Sequence, residues 1–173
     1  MPTRIPLRPS MLTRRRQTVK WIILHHTAEM YPAPESRIDN PKYQMTGSFN
    51  GVLEKKQGDV NYNFVIDMIL TDYVAITARP FVYLCDWEDI EPNINNRAIH
   101  IALMGNYDFK VPQLRMYQVL AYRLINPLLR QYGLSPQRVK FHRDVSSNKE
   151  LSCPGDFIDE GRVIAQVRRF IVK

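Results

Sequence analysis

The chain has no run of apolar residues near the ~18 that a membrane-spanning helix needs, and the apolar block WIILHH at 21–26 is too short even for the core of a secretion signal. A membrane span is therefore excluded. The chain is expected to be made in the cytoplasm without a signal peptide, because nothing apolar enough follows the Arg-rich residues 1–16. Cysteine is scarce: Cys85 and Cys153 are the only two, and a reduced pair is the expectation for a cytosolic chain. Internal repeats and low-complexity segments are absent. What remains, 173 residues with 45% hydrophobic and 24% charged, fits one compact globular domain with a real core.

Charge is lopsided, with 24 Lys and Arg against 17 Asp and Glu for a net +7, which favours approach to polyanions without choosing among them. Residues 1–17, rich in proline and arginine, read as a basic N-terminal arm, and residues 18–173 as the domain. The arm lacks interleaved aromatics and any nucleic-acid-binding motif, so no specific nucleic acid is expected as a partner.

Hydrophobic periodicity places the elements. Val19–His26 reads as a buried strand with Ile23 and His25 on one side and Leu24 and His26 on the other. Residues 29–41 read as a loop and 43–56 as a segment that includes a helix. Residues 59–70 read as a strand with Val60, Tyr62, Phe64 and Ile66 on one face, turning at Thr71 and Asp72 into a second strand at 73–77. Residues 79–97 form a long loop of the kind that carries function, and 99–104 another buried strand. Residues 111–133 carry the clearest helical pattern, with Leu114, Tyr117, Ala121, Leu124 and Leu128 in step, Pro112 at the start, Gly133 as a stop, and Pro127 expected to kink or end it early. Val139 and Phe141 form a short strand that delivers His142, and a last helix shows Val163, Ile164, Val167, Phe170 and Ile171 on one face. Strands interleaved with helices predict an α/β fold.

Soft and borderline metal-ligating residues fall at three places: the His25–His26 pair, His142 in FHRDV, and Cys153 in CPG. Two imidazoles and one thiolate with a fourth position left to water make an open zinc site, which suits hydrolysis. Adjacent histidines of a strand point to opposite faces, so only one of the pair can join such a site. The separation of His142 from Cys153 matches no zinc-finger spacing.

The ordered segments WIILHHTA, VNYNFVID, AIHIALMGNY, QLRMYQVLAYRLI, FHRDV and CPGDF together resemble the type 2, zinc-dependent N-acetylmuramoyl-L-alanine amidases, a family that includes phage amidase endolysins and peptidoglycan recognition proteins. The resemblance spans roughly residues 18 to 172. It implies a central mixed β-sheet flanked by α-helices in a single domain, with a Zn2+ site at the end of a peptide-binding groove. It also implies His25, His142 and Cys153 as the metal ligands, leaving His26 to the core or to support of the site. Tyr62 matches the tyrosine that orients the attacking water and stabilises the oxyanion. Thr27, Asn63 and Trp87 fall at substrate-binding positions.

Three positions depart from the family pattern. Leu151 stands where many active relatives carry lysine or threonine, so Lys149, or Ser152, is expected to take over that catalytic role. No histidine occurs in LCDWEDIEPNINN, where the family usually has one, and His100 stands at a position commonly glycine; it is expected to be a satisfied strand histidine. The activity implied is hydrolysis of the amide between N-acetylmuramic acid and L-alanine in bacterial peptidoglycan, reached after lysis-type release or as part of a phage particle. The alternative implied by the departures is a catalytically weak peptidoglycan-binding or virion module that keeps the fold.

Overall fold

The computed structural model describes residues 13–28, 61–69, 72–85 and 87–171. The loop at 29–41, the helix expected within 43–56, Val60, Thr71 and residues 1–12 of the arm lie outside the described residues. Five strands form one sheet: β1 Trp21–His26, β2 Phe64–Ile69, β3 Asp72–Thr77, β4 Ala98–Leu103 and β5 Val139–Phe141, in the order β3-β2-β4-β1-β5. Only β2 and β3 run antiparallel; β2–β4, β4–β1 and β1–β5 are parallel, so the sheet is mixed as expected. In β4 every residue is buried, which is why AIHIAL reads as a continuous apolar run broken by one histidine rather than an alternation.

The helices are α1 Pro92–Asn95, α2 Leu114–Val119, a π-helical segment Leu120–Ile125, α3 Asn126–Tyr132, α4 His142–Val145 and α5 Glu160–Phe170, with a 3-10 turn at Pro136–Arg138. Residues 114–132 thus run on through Pro127 instead of ending before it. The proline ring would crowd the carbonyl of Arg123 in a regular α-turn, and the wider π-turn immediately before it relieves that clash. Gly133, in the left-handed conformation at φ 62°, stops the helix. Tyr117, Ala121, Leu124 and Leu128 of the expected face are buried, but Leu114, the first residue of the helix, is 53% exposed. Asp159 caps α5 by accepting from Arg162 N at 2.9 Å.

One face of the sheet presents Ile22, Leu24, Phe64, Ile66, Ile99, Ile101, Leu103, Val139 and Phe141 to Met116, Tyr117, Leu120, Leu124, Ile125, Leu128, Val163 and Val167, and this is the main core. The other face holds smaller clusters, Tyr62 with Val65, Ile76, Ala78, Ala102 and Met104, and Ile23 with Ile90 and Ala98; Trp87 packs against both. Here the strand reading needs correction. Tyr62 lies on the opposite face from Phe64 and Ile66, because residues 61–63 bend before β2 begins and break the alternation. Residues 13–17 of the presumed arm are also fastened to the body. Arg15 N donates to Val82 O, and its guanidinium donates to Phe81 O at 2.9 Å and Asn96 O at 3.0 Å.

Candidate metal centre and active site

The parallel strands β1, β4 and β5 end on the same edge, and the loops that follow them converge there, the usual place for a site in an α/β sheet. β1 delivers His25 on the face opposite the main core and His26 on the helix-covered face. β5 ends at Phe141, so His142 is the first residue of α4. Asp144 Oδ2 accepts from Phe141 N at 3.0 Å and fixes that turn. Arg143 then ties it to the CPG turn: its backbone N donates to Cys153 O at 2.9 Å and its guanidinium to Ser152 O at 3.0 Å and Gly155 O at 3.1 Å. Gly155 sits at φ 112°, and a Cβ there would lie 2.6 Å from the Tyr107 backbone, so only glycine lets the turn close on Tyr107.

These turns bring His25, His142 and Cys153 together, all buried, with one ligand atom from each within 4.8 Å of the others. Cys153 Sγ is 3.9 Å from His25 Nδ1. Zinc bonds to nitrogen and sulfur are roughly 2.0–2.3 Å, so one ion would draw the three atoms slightly inward. Two imidazoles and a thiol also form the N/S donor set that zinc prefers, with one position left open. The residues present therefore fit the metal.

Other groups approach the remaining edges of the triplet. His142 Nε2 lies 2.9 Å from Asp89 Oδ2, which also accepts from Ser146 Oγ at 2.6 Å. A carboxylate behind a ligating imidazole fixes its tautomer and leaves Nδ1 for the ion. Burial pushes the Asp89 carboxyl up, and the hydrogen bonds from Ser146 and His142 outweigh this to hold it below the ordinary carboxylate range. Burial lowers the His142 imidazole despite the pull of Asp89. Burial also pushes the Cys153 thiol up to about 12, against the opposing hydrogen bond from His26 N at 3.4 Å. The metal-free thiol is thus protonated at neutral pH, and a cation is needed to hold it as thiolate. His26 accepts from Tyr107 N through Nδ1 at 3.2 Å, on the far side of the strand.

Trp87 lies flat on His25, ring centroids 4.3 Å apart at 18°, and meets His142 edge-on at 4.9 Å. Tyr62, 6% exposed, has its ring 5.5 Å from that of His25. Of the expected site residues, Tyr62 and Trp87 therefore adjoin the triplet. Thr27 is partly exposed at the end of β1, and its Oγ1 accepts from Gly105 N at 3.1 Å. Asn63 has a different position from the one expected of a substrate contact. It has no exposed surface, and its amide accepts from His100 N at 3.0 Å and donates to Arg79 O and Tyr83 O, which braces the strands. Lys149 is exposed and donates to Ser146 O at 3.1 Å, so its ammonium is held by the loop backbone rather than by the triplet.

Two residues at the site were not singled out by sequence as site residues. Asp89 sits in the long 79–97 loop, whose length alone marked it. His100 was expected to be a satisfied strand residue, and it is buried in β4, but its Nδ1 lies 2.9 Å from His25 Nε2. A cavity of about 540 Å³ between β3 and residues 123–131 is lined by none of the triplet.

Sheet, helices and triplet define an α/β domain carrying a two-histidine, one-cysteine metal-type site at the carboxyl edge of its parallel strands. The chain belongs to the N-acetylmuramoyl-L-alanine amidase family, whose model matches residues 15–156. Its fold is similar to that of the N-acetylmuramoyl-L-alanine amidase LysC from Clostridium intestinale URNW (18% identity, 97% of this chain and 99% of that one, TM-score 0.63). It is also similar to AmpD (19% identity, 96% and 94%, TM-score 0.67) and to Drosophila PGRP-LB (21% identity, 99% and 95%, TM-score 0.56). At these identities the likeness is one of fold. No curated protein matches the chain. No described helix is long and apolar enough to cross a membrane.

Proposed function

We propose that the protein hydrolyses the amide between N-acetylmuramic acid and L-alanine in bacterial peptidoglycan, using zinc held by His25, His142 and Cys153. The observation that carries this reading is the convergence of His25 with His142 and Cys153, which lie more than a hundred residues further along the chain, in a chain of the amidase family. A zinc ion held there supplies Lewis acidity toward an amide carbonyl and acidifies water to a pKa of about 7.

The chain's own residues prepare the rest. Asp89 holds the His142 ring, and Trp87 covers His25 and keeps bulk water off one side of it. Tyr62 brings a phenol beside His25, suited to donate a hydrogen bond to the amide oxygen as it becomes tetrahedral, an electrostatic effect worth about 10²–10³ in rate. Thr27 and Trp87 are the positions suited to meet the stem peptide. The leaving L-alanine amine takes its proton from water or an adjacent side chain. Action on the wall after lysis, as an endolysin of phage or prophage origin, is consistent with the fold likeness to the endolysin of bacteriophage Ph2119 (16% identity, 92% of each chain, TM-score 0.60).

A binding role is the second reading, favoured by Leu151 and by the likeness to peptidoglycan recognition proteins solved with tracheal cytotoxin. Metal analysis of the purified protein together with mass spectrometry of treated peptidoglycan separates the two. Amidase activity releases stem peptides with free L-alanine amino termini in proportion to bound zinc. Wall that binds the zinc-loaded protein and yields no such peptides would establish the binding role instead.

A further inference from the structure

We propose that His100 is a positioning residue: its Nδ1 accepts a hydrogen bond from His25 Nε2–H and so reserves His25 Nδ1 for the metal. This rests on the reading of His25, His142 and Cys153 as a metal site.

The sequence makes His100 an anomaly. Every other residue of β4, Ala98, Ile99, Ile101, Ala102 and Leu103, is apolar, and all are fully buried. An imidazole in such a strand carries a desolvation penalty that an apolar side chain avoids. The strand register places it on the site face: Ile23 pairs with His100 and His25 with Ala102, so the two histidines are diagonal neighbours on one side of the sheet. Asn63 holds its backbone from both directions, with Oδ1 accepting from His100 N at 3.0 Å and Asn63 N donating to His100 O at 2.9 Å. Trp87 lies nearly parallel to both rings, over His25 at 4.3 Å and His100 at 6.1 Å. The ring is therefore fixed where it can make one specific contact, the 2.9 Å approach of its Nδ1 to His25 Nε2.

In that contact one nitrogen donates and the other accepts. His25 Nδ1 faces Cys153 Sγ at 3.9 Å and is the nitrogen on the triplet's side. To ligate, it must present a lone pair, which moves the single proton of the neutral ring to Nε2 and makes it the donor. His100 Nδ1 must then be the acceptor, with its own proton on Nε2. That atom is buried without a well-aligned hydrogen bond, and the Asn95 backbone favours a proton on the ring. The two ligating histidines are then held by different chemistry, His142 by a carboxylate and His25 by a neutral imidazole.

The test uses the full chain, with Zn2+ and Co2+ as probes competed against a chromophoric chelator. His100→Leu removes the acceptor while filling the strand position, and is expected to weaken zinc binding by about 10- to 100-fold and to alter the Co2+ ligand-field spectrum. His100→Gln, whose amide oxygen can accept the same hydrogen bond, is expected to recover most of the loss; a merely structural role would not distinguish the two in this direction. Long-range 1H–15N spectra of the zinc-loaded wild type give an answer that needs no variant: His25 should carry its proton on Nε2, and His100 Nδ1 should carry none. A folded His100→Leu protein that binds zinc as tightly as wild type, or a proton found on His100 Nδ1 in the loaded protein, overturns the proposal and leaves the metal site standing. A wild type that binds no zinc overturns the metal-site reading and this inference with it.

Discussion

The two faces of the sheet are built to opposite rules. The helix-covered face is a continuous apolar core in which Ile22, Leu24, Ile99, Ile101, Leu103 and Phe141 meet Met116, Tyr117, Leu120 and Ile125, all 1% exposed or less. The other face buries His25, His100 and His142 against Trp87, with smaller apolar clusters among the described residues. Burying apolar area stabilises a fold without specifying chemistry, whereas each buried polar group must find a partner or destabilise it. Stability and reactivity are thereby separated by the thickness of one strand, and His25 and His26 show it: neighbours in sequence, one faces Cys153 and the other Tyr107.

That separation can be broken from either side. The largest effect is expected from Cys153→Ser, which replaces a soft thiolate with a hard hydroxyl. Zinc content and peptidoglycan hydrolysis should both collapse, while the metal-free fold, followed by circular dichroism, stays intact; unchanged zinc content would show that the ligand set is wrong. Tyr62→Phe should keep the metal and slow turnover by about 10²–10³-fold, read as kcat falling at constant zinc stoichiometry. From the opposite face, Leu120→Ala should lower unfolding free energy by about 2–5 kcal/mol in a denaturant titration, with zinc affinity of the folded fraction retained. If it instead abolished zinc binding in protein that is still folded, the two faces would not be independent.

The smallest effect is expected from pH on the metal-free protein. Burial lowers the imidazoles of His26, His100 and His142, so below about pH 6.5, the unfolded value, the unfolded chain binds more protons than the folded one and stability falls with acidification. The Cys153 thiol, raised from 9.0 to about 12, acts at the other end: between those values the folded state keeps a proton that the unfolded one loses, so stability falls as pH rises above about 9. Chemical denaturation from about pH 5 to about pH 11 should give a plateau near neutrality. A profile flat on the acid side would mean that these histidines are not buried as neutral rings.

Much of this was legible beforehand. A run such as WIILHH carries its own period, so β1 and the opposition of His25 to His26 follow from strand geometry alone. The 3.6-residue repeat over 114–128 located the long helix, and the ordered motifs pointed to the three side chains that converge. The misses have local causes. Alternation read through 61–63 puts Tyr62 on the face of Phe64, whereas the bends at Asn61 and Asn63, both turn-favouring residues, turn it to the other. Pro127, expected to kink the helix or end it early, does not end it: a π-turn just before it carries the helix past. Asp89 had no motif to mark it, and Lys149, placed by analogy with the loop before Cys153, turns to Ser146 O.

What the sequence by itself determined is whatever depends on neighbours along the chain: the strands, the long helix and the placing of His25 and His26 on opposite faces. What only the tertiary structure decided is whatever depends on residues far apart in the chain meeting across the sheet. Asp89 reaches His142 and His100 reaches His25 because a loop folds over the sheet edge and parallel strands align their ends. Hydrogen bonds act over about 3 Å, a separation set by strand register and loop closure, and no local pattern in the chain encodes it.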